Sequence, residues 1–188
     1  MAISLKPFRV YDEHDVVNLY AYSGTIGTSA GDKIAKGTLV KVIGGGWKNS
    51  SDPTEFLGSV GASYAGTVAQ RYGTVAKVGL STSGAVALGV ILHDIGEVDE
   101  NGELLKFNPR KASEMEMVLS GQTVPVLTRG ILLYSGDSLG AVSAANVKLY
   151  AANNGGITQL NADTGGHYIG KSLGDSDEDG YKLIKLEL

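Results

Sequence analysis

Gly165-Gly166-His167-Tyr168-Ile169-Gly170-Lys171-Ser172 satisfies G-x-x-x-x-G-K-[ST] at every position, the spacing of a phosphate-binding loop. In such a loop, backbone N–H groups and the N-terminus of the adjoining helix hold the phosphates, and the Ser/Thr hydroxyl holds Mg²⁺. The chemistry therefore needs a strand before the motif and a helix after it. After Ser172, however, come Leu173 and then Gly174-Asp175-Ser176-Asp177-Glu178-Asp179-Gly180, a turn. Tyr181 to Leu188 then alternates like a strand, leaving no downstream strand to carry a Mg²⁺-binding Asp. The spacing thus predicts a strand, Tyr168 to Leu173, entered through two glycines. A nucleotide-binding enzyme built on Gly165 to Ser172 is a rival, and a helix starting at Lys171 would favour it.

Asp175 to Gly180 also matches the first half of an EF-hand loop, D-x-D-x-D-G. The twelfth position is Leu186 rather than Glu, and helices do not flank it. The plain reading is an acidic hairpin turn. A weak Ca²⁺ site on Asp175, Asp177 and Asp179 is the competing one, since hard cations take clustered oxygens. His14, His93 and His167 stand alone, without partners at i+3 or i+4. His93 beside Asp94 reads as a hydrogen bonder at a strand end. Gly44-Gly45-Gly46 is a turn or tip rather than a phosphate cradle, because no helix signal comes after it. Arg110-Lys111 and Arg129 read as ordinary surface or interface charges. These residues give no nucleophile–base pair and no metal or cofactor site, so the expectation is a non-enzyme.

Glycine supplies 27 of 188 residues, about twice the usual ~7% share. With Val, Thr and Ile it suits strands joined by tight turns. The net charge is −4, and the charges are interspersed without a basic stripe. That argues against a nucleic-acid partner, which needs clustered cations. Cysteine is absent, which excludes disulfides and thiolate chemistry and fits synthesis in a reducing cytoplasm. The first residues lack an apolar core of signal-peptide length. The longest nearly unbroken apolar run, Gly84 to Leu92, is far short of a membrane helix.

The elements that must position these residues are strands. Candidates are Val16–Tyr22, Gly37–Ile43, Thr74–Val78, Val86–Ile95, Thr123–Thr128, Gly130–Tyr134, Val147–Ala151, Ile157–Leu160, Tyr168–Leu173 and Tyr181–Leu188. Val17, Leu19 and Ala21 share one side of the first. Asn101-Gly102 predicts a hairpin. Asn108-Pro109 can cap a helical turn, after which Met115 to Leu119 reads as a strand in preference to a helix through Ala112, Met115 and Val118. Residues 1–22 are an N-terminal arm or a first strand. Residues 23–188 are a single β domain with a loop-rich insertion at 49–73, where Asp52-Pro53 caps at most a short helix. The fold class is all-β: a Gly-rich β-barrel or β-sandwich of about eleven short strands with an extended N-terminal arm.

A weak internal repeat runs through the chain. Gly37-Thr38-Leu39-Val40-Lys41-Val42 is similar to Gly130-Ile131-Leu132-Leu133-Tyr134, and Val75-Ala76-Lys77-Val78 to Asn146-Val147-Lys148-Leu149. Ala87-Leu88-Gly89-Val90-Ile91-Leu92 is similar to Tyr168-Ile169-Gly170-Lys171-Ser172-Leu173. The phosphate-loop lookalike then becomes the second copy of an apolar-Gly-apolar strand.

Four segments, Tyr11 to Leu19, Ala87 to Ile95, Leu119 to Val126 and Ile169 to Leu173 with the closing Asp179 to Leu186, together resemble tailed-bacteriophage capsid decoration (cement) proteins. The motifs are structural rather than catalytic. The resemblance implies a homotrimeric, non-enzymatic β protein without cofactor, made in the host cytoplasm and placed on the outer surface of the virion capsid. Its partner would be the major capsid protein, whose subunits it would bridge. The extended first residues would make the contact. Within them Lys6, Phe8 and Arg9 form a cation–aromatic–cation group, the candidate capsid-binding residues. The rival from another class is a β-rich host-glycan or receptor-binding module, with Trp47, Tyr64 and Tyr72 as its aromatic cluster.

Overall fold

The computed structural model describes residues 3–7, 10–21, 33–44, 76–119, 121–136, 139, 144–159 and 166–188. The described residues are nearly all β. Strands β2 (Val16–Ala21), β3 (Leu39–Gly44), β4 (Lys77–Leu80), β5 (Gly89–Ile91) and β8 (Thr123–Leu127) close a barrel in the order β2-β4-β3-β5-β8. A six-stranded antiparallel half-barrel stands against it, in the order β1-β9-β13-β12-β10-β11. Its strands are β1 (Ser4–Pro7), β9 (Arg129–Ser135), β10 (Lys148–Ala151), β11 (Ile157–Thr158), β12 (Tyr168–Ser176) and β13 (Lys182–Glu187). Two short strands, β6 (Asp94–Ile95) and β7 (Met117–Val118), pair in parallel beside helix α1 (Pro109–Glu114).

Strand alternation sorts the apolar residues into two cores. Leu19, Ala21, Val40, Val78, Ile91, Val124 and Val126 fill the barrel. Their neighbours Leu39, Val90 and Leu127 point the other way and meet Leu5, Leu132, Tyr134, Leu149, Ile169, Ile184 and Leu186 from the open sheet. The same three barrel strands thus serve both cores. Of the trio expected on one side of β2, Leu19 and Ala21 are buried, while Val17 is 37% exposed.

Residues 1–22 had arm and first strand as alternatives; the described ones pair. β1 joins β9, with Leu5 opposite Tyr134, and β2 joins β8 and β4. Val86–Ile95 is not one strand. After Ile91 the chain leaves the barrel wall, and Asp94 takes over: its carboxylate accepts the Lys36 N–H at 2.7 Å and the Lys33 ammonium, tying β6 to the segment before β3. Met115–Leu119 also divides. Asn108 caps α1 by accepting the Lys111 N–H at 3.3 Å, Ala112 packs inward, and Glu116 at φ 51° turns the chain into the two-residue β7. The Asn101-Gly102 turn carries a single bridge, Val98 to Leu104, rather than two long strands. The insertion at 49–73 lies outside the described residues.

The internal repeat holds for one element and fails for the topology. A Cβ on Gly89 would meet the Leu127 carbonyl oxygen at 2.2 Å, and one on Gly170 would meet that of Lys185 at 2.1 Å. Both glycines therefore admit a neighbouring strand. In the barrel, however, β3 pairs with both β4 and β5, whereas β9 is separated from β12 and β10 by β13.

Candidate interaction face

The P-loop lookalike is strand. Residues 168–176 run extended through Lys171 and Ser172, so a helix N-terminus for phosphate is absent there. Ser172 is fully buried; its Oγ donates to the Ala144 carbonyl at 2.8 Å and accepts the Val147 N–H at 3.2 Å, fastening the segment before β10. Lys171 Nζ lies 3.9 Å from Glu187 on the next strand. Gly165 lies outside the described residues.

The acidic run forms the tip of the β12–β13 hairpin. Asp177 accepts the Tyr181 N–H on Oδ1 at 2.6 Å, its own N–H reaches the Tyr181 carbonyl at 2.8 Å, and Gly180 takes φ 80°. Among the described residues, three or more His, Cys, Asp or Glu nowhere gather as a metal site would require. His14 sits in a 3-10 turn whose N–H is capped by Asp12. At the β6 end Asp94, rather than His93, carries the hydrogen bonds to Lys36 and Lys33.

Lys111 is not a plain surface charge. It pairs with Asp99, a buried carboxylate that also accepts the Asn101 and Glu103 N–H groups at 2.8 and 2.7 Å. The hydrogen bond from Lys111 holds the Asp99 carboxyl below its ordinary range, and the same bond raises Lys111. This pair fastens the 98–104 turn to α1 and is structural.

The open sheet brings together residues that the sequence keeps apart. Cross-strand partners in an antiparallel sheet share a face. Lys148 stands opposite Lys171, Lys171 opposite Lys185, and Lys185 opposite Ile131. Three lysines thus form one row on the outer face, away from the core side taken by Leu149, Ile184 and Leu186. A parallel row carries Thr158, Tyr150 and Tyr168, and Glu187 stands opposite Arg129. A shift in register at Leu149/Tyr150 puts both Ile169 and Gly170 inside and returns Tyr168 to the outer face. Tyr150 and Tyr168 meet edge to face at 6.4 Å. Glu187 joins the rows: it receives Lys185 at 2.7 Å and the Tyr168 hydroxyl at 2.9 Å. The Lys185 contact, then that of Tyr168, holds its carboxyl low. Burial first, then the bond to Glu187, raises the Tyr168 phenol.

Lys6 belongs to the same face, opposite Leu133, which in turn stands opposite Leu183. Its ammonium lies 3.9 Å from the centre of the Tyr181 ring, whose hydroxyl is 3.1 Å from Ser4 Oγ. Phe8 and Arg9 lie outside the described residues, as do Trp47, Tyr64 and Tyr72. Sequence reasoning missed Lys148, Lys185, Glu187, Tyr150 and Tyr168. Alternation along Tyr181–Leu188 placed Lys185 and Glu187 on one side, but only the register shows what lies across from them.

Neither the family models nor the curated proteins contain a match to this chain.

Proposed function

We propose that the chain is a virion structural protein that decorates a phage capsid on its outer surface and stabilises it by bridging major-capsid subunits, working as a homotrimer without cofactor or catalysis. The observation that carries this reading is the edge of β1 that no second strand pairs with among the described residues. This strand ends the open sheet: it pairs with β9 alone, and its other edge has no strand partner among the described residues. Lys6 and Pro7 occupy it, residue types that discourage indiscriminate strand pairing. An edge so guarded, leading into Phe8 and Arg9, suits a specific contact with a neighbouring protein. The resemblance in the ordered apolar-Gly-apolar strand, acidic turn and last strand supports the same reading. An oligomer making several modest contacts gains affinity by avidity without any single large interface.

Co-sedimentation tests it. The purified chain, mixed with expanded heads of the phage that encodes it, pellets with them and fails to pellet with unexpanded shells. Lys6→Glu combined with Arg9→Glu reduces the bound fraction at least tenfold while the melting temperature stays within a few degrees. A chain that never pellets with expanded heads overturns the decoration reading. Binding instead to immobilised glycans supports the receptor-binding rival, for which exposed Tyr168 with half-buried Tyr150 beside it offers an aromatic platform.

A further inference from the structure

The outer face of the open sheet and the tip of its own β12–β13 hairpin carry opposite charge. On the face, among the described residues, Lys6, Lys148, Lys171, Lys185 and Arg129 stand with the acid Glu187. Glu187 contacts Lys185 at 2.7 Å and Lys171 at 3.9 Å, while Lys148 and Arg129 have no ion pair among the described residues. Like charges directly opposite in a sheet repel, so the row gains from any carboxylates laid across it. At the tip, Asp175, Asp177, Glu178 and Asp179 are all exposed, and none has a cation partner among the described residues. Among the described residues no ion pair joins the tip to its own row, whose lysines meet only Glu187.

We propose that the acidic tip of one copy, Asp175 to Asp179, docks on the Lys148–Lys171–Lys185 row of a second copy. Both complementary surfaces are present on the same chain with nearly matched charge, which makes a second copy the natural occupant. The net charge of −4 opposes the approach of a nucleic acid to the same face. Tip and row are different surfaces, so the contact is head to tail, and it closes into a ring when the rotation between copies permits. The aromatic row beside the lysines, Tyr150 and Tyr168, adds area that a partner would cover. The proposal needs only this chain and stands independently of capsid decoration.

Sedimentation velocity of the full chain at low and high salt tests it. Wild type sediments as an oligomer in about 50 mM salt and shifts toward the monomer in about 500 mM, because screening shortens the reach of exposed charges. Reversing the row (Lys148→Glu, Lys171→Glu, Lys185→Glu) gives a monomer at low salt. Reversing the tip (Asp175→Lys, Glu178→Lys, Asp179→Lys, with Asp177 kept because it holds the turn) does the same. A chain carrying both sets associates again, since each surface then meets its new complement. The neutral set Lys148→Gln, Lys171→Gln, Lys185→Gln backs up the first variant if that one misfolds by near-ultraviolet circular dichroism, and it too is monomeric. A wild type that is monomeric at low salt overturns the proposal. So does an oligomer indifferent to either reversal. A combined variant that stays monomeric while folded also overturns it, and points to an acidic surface of another protein or a nucleic acid as the occupant.

Discussion

The closed barrel and the open sheet are made of the same kind of strand and end in different situations. In the barrel every strand has a neighbour on both sides, and its interior is filled with Val, Ile, Leu and Ala. Closure removes the edges on which other chains could pair. Among the described residues the open sheet keeps two edges, β1 and β11, of four and two residues. Its outer face carries lysines and tyrosines beside half-buried Ile131, Leu133 and Leu183, rather than a fully buried second core. The barrel is thus the closed half of the molecule, and the sheet is the half that leaves strand edges open among the described residues. Leu39, Val90 and Leu127 link the two by turning barrel residues into the core of the sheet.

The largest expected effect is on closure. Gly89→Ala drives a Cβ to 2.2 Å from the Leu127 carbonyl oxygen, and a closed barrel cannot shift one strand without disturbing the rest. A loss of about 4 kcal/mol is expected, at the upper end for single substitutions, read from the urea midpoint. Gly170→Ala makes the same collision with Lys185 in the open sheet. That sheet can splay, so the cost is about 2 kcal/mol, as for moderate overpacking. Equal costs would show that the open sheet is as constrained as the barrel.

Leu39→Ala tests the link. It removes a fully buried side chain from the shared core without touching the barrel interior. The expected loss is about 3 kcal/mol. Barrel and sheet unfolding should then separate in hydrogen exchange, with the sheet opening first. A uniform loss of protection in both would mean that one cooperative unit survives the change.

Acid sharpens the comparison in a third place, the lobe of α1 and β7. Asp99 has a lowered carboxyl pKa, so its contribution is present above the ordinary carboxylate value of about 4 and lost as pH falls through the folded value. Lys111 is raised, so its contribution is present below about 10.4 and lost as pH rises through the folded value. Between these limits the pair is intact. Below about pH 4, amides of residues 98–119 are expected to exchange faster while those of β2 and β8 stay protected. Asp99→Asn should bring the same pattern at neutral pH. Unchanged exchange in that variant would show that the backbone bonds to Asn101 and Glu103 suffice.

The smallest effect belongs to the sheet edge. Lys6→Ala loses the contact over Tyr181, about 0.5 kcal/mol at an exposed site. Deleting residues 2–10 is a different matter, because Leu5 is buried opposite Tyr134. That truncation lowers the melting temperature and so cannot by itself isolate a capsid contact. A truncated chain with wild-type thermal stability would restore the free-arm reading.

Local chemistry was enough to recognise the all-β class, most strands, the Asn108-Pro109 cap and the falseness of the phosphate loop. Each rests on alternation, turn residues or the absence of a helix signal within a few positions, and those are properties of neighbouring residues. The need for glycine at 89 and 170 was visible as a pattern, and the neighbouring carbonyls in the fold supply its reason. Tertiary structure alone decided that Val86–Ile95 breaks, because the anchor at Asp94 comes from Lys36 and Lys33. It alone decided that the two halves of the repeat pair differently. The lysine row is the clearest case. Lys148, Lys171 and Lys185 look interspersed along the chain, and no window of sequence contains a stripe. Strand register is set by long-range pairing and by the shift at Leu149/Tyr150. That pairing puts like charges side by side on a face whose other side is held in place by the core.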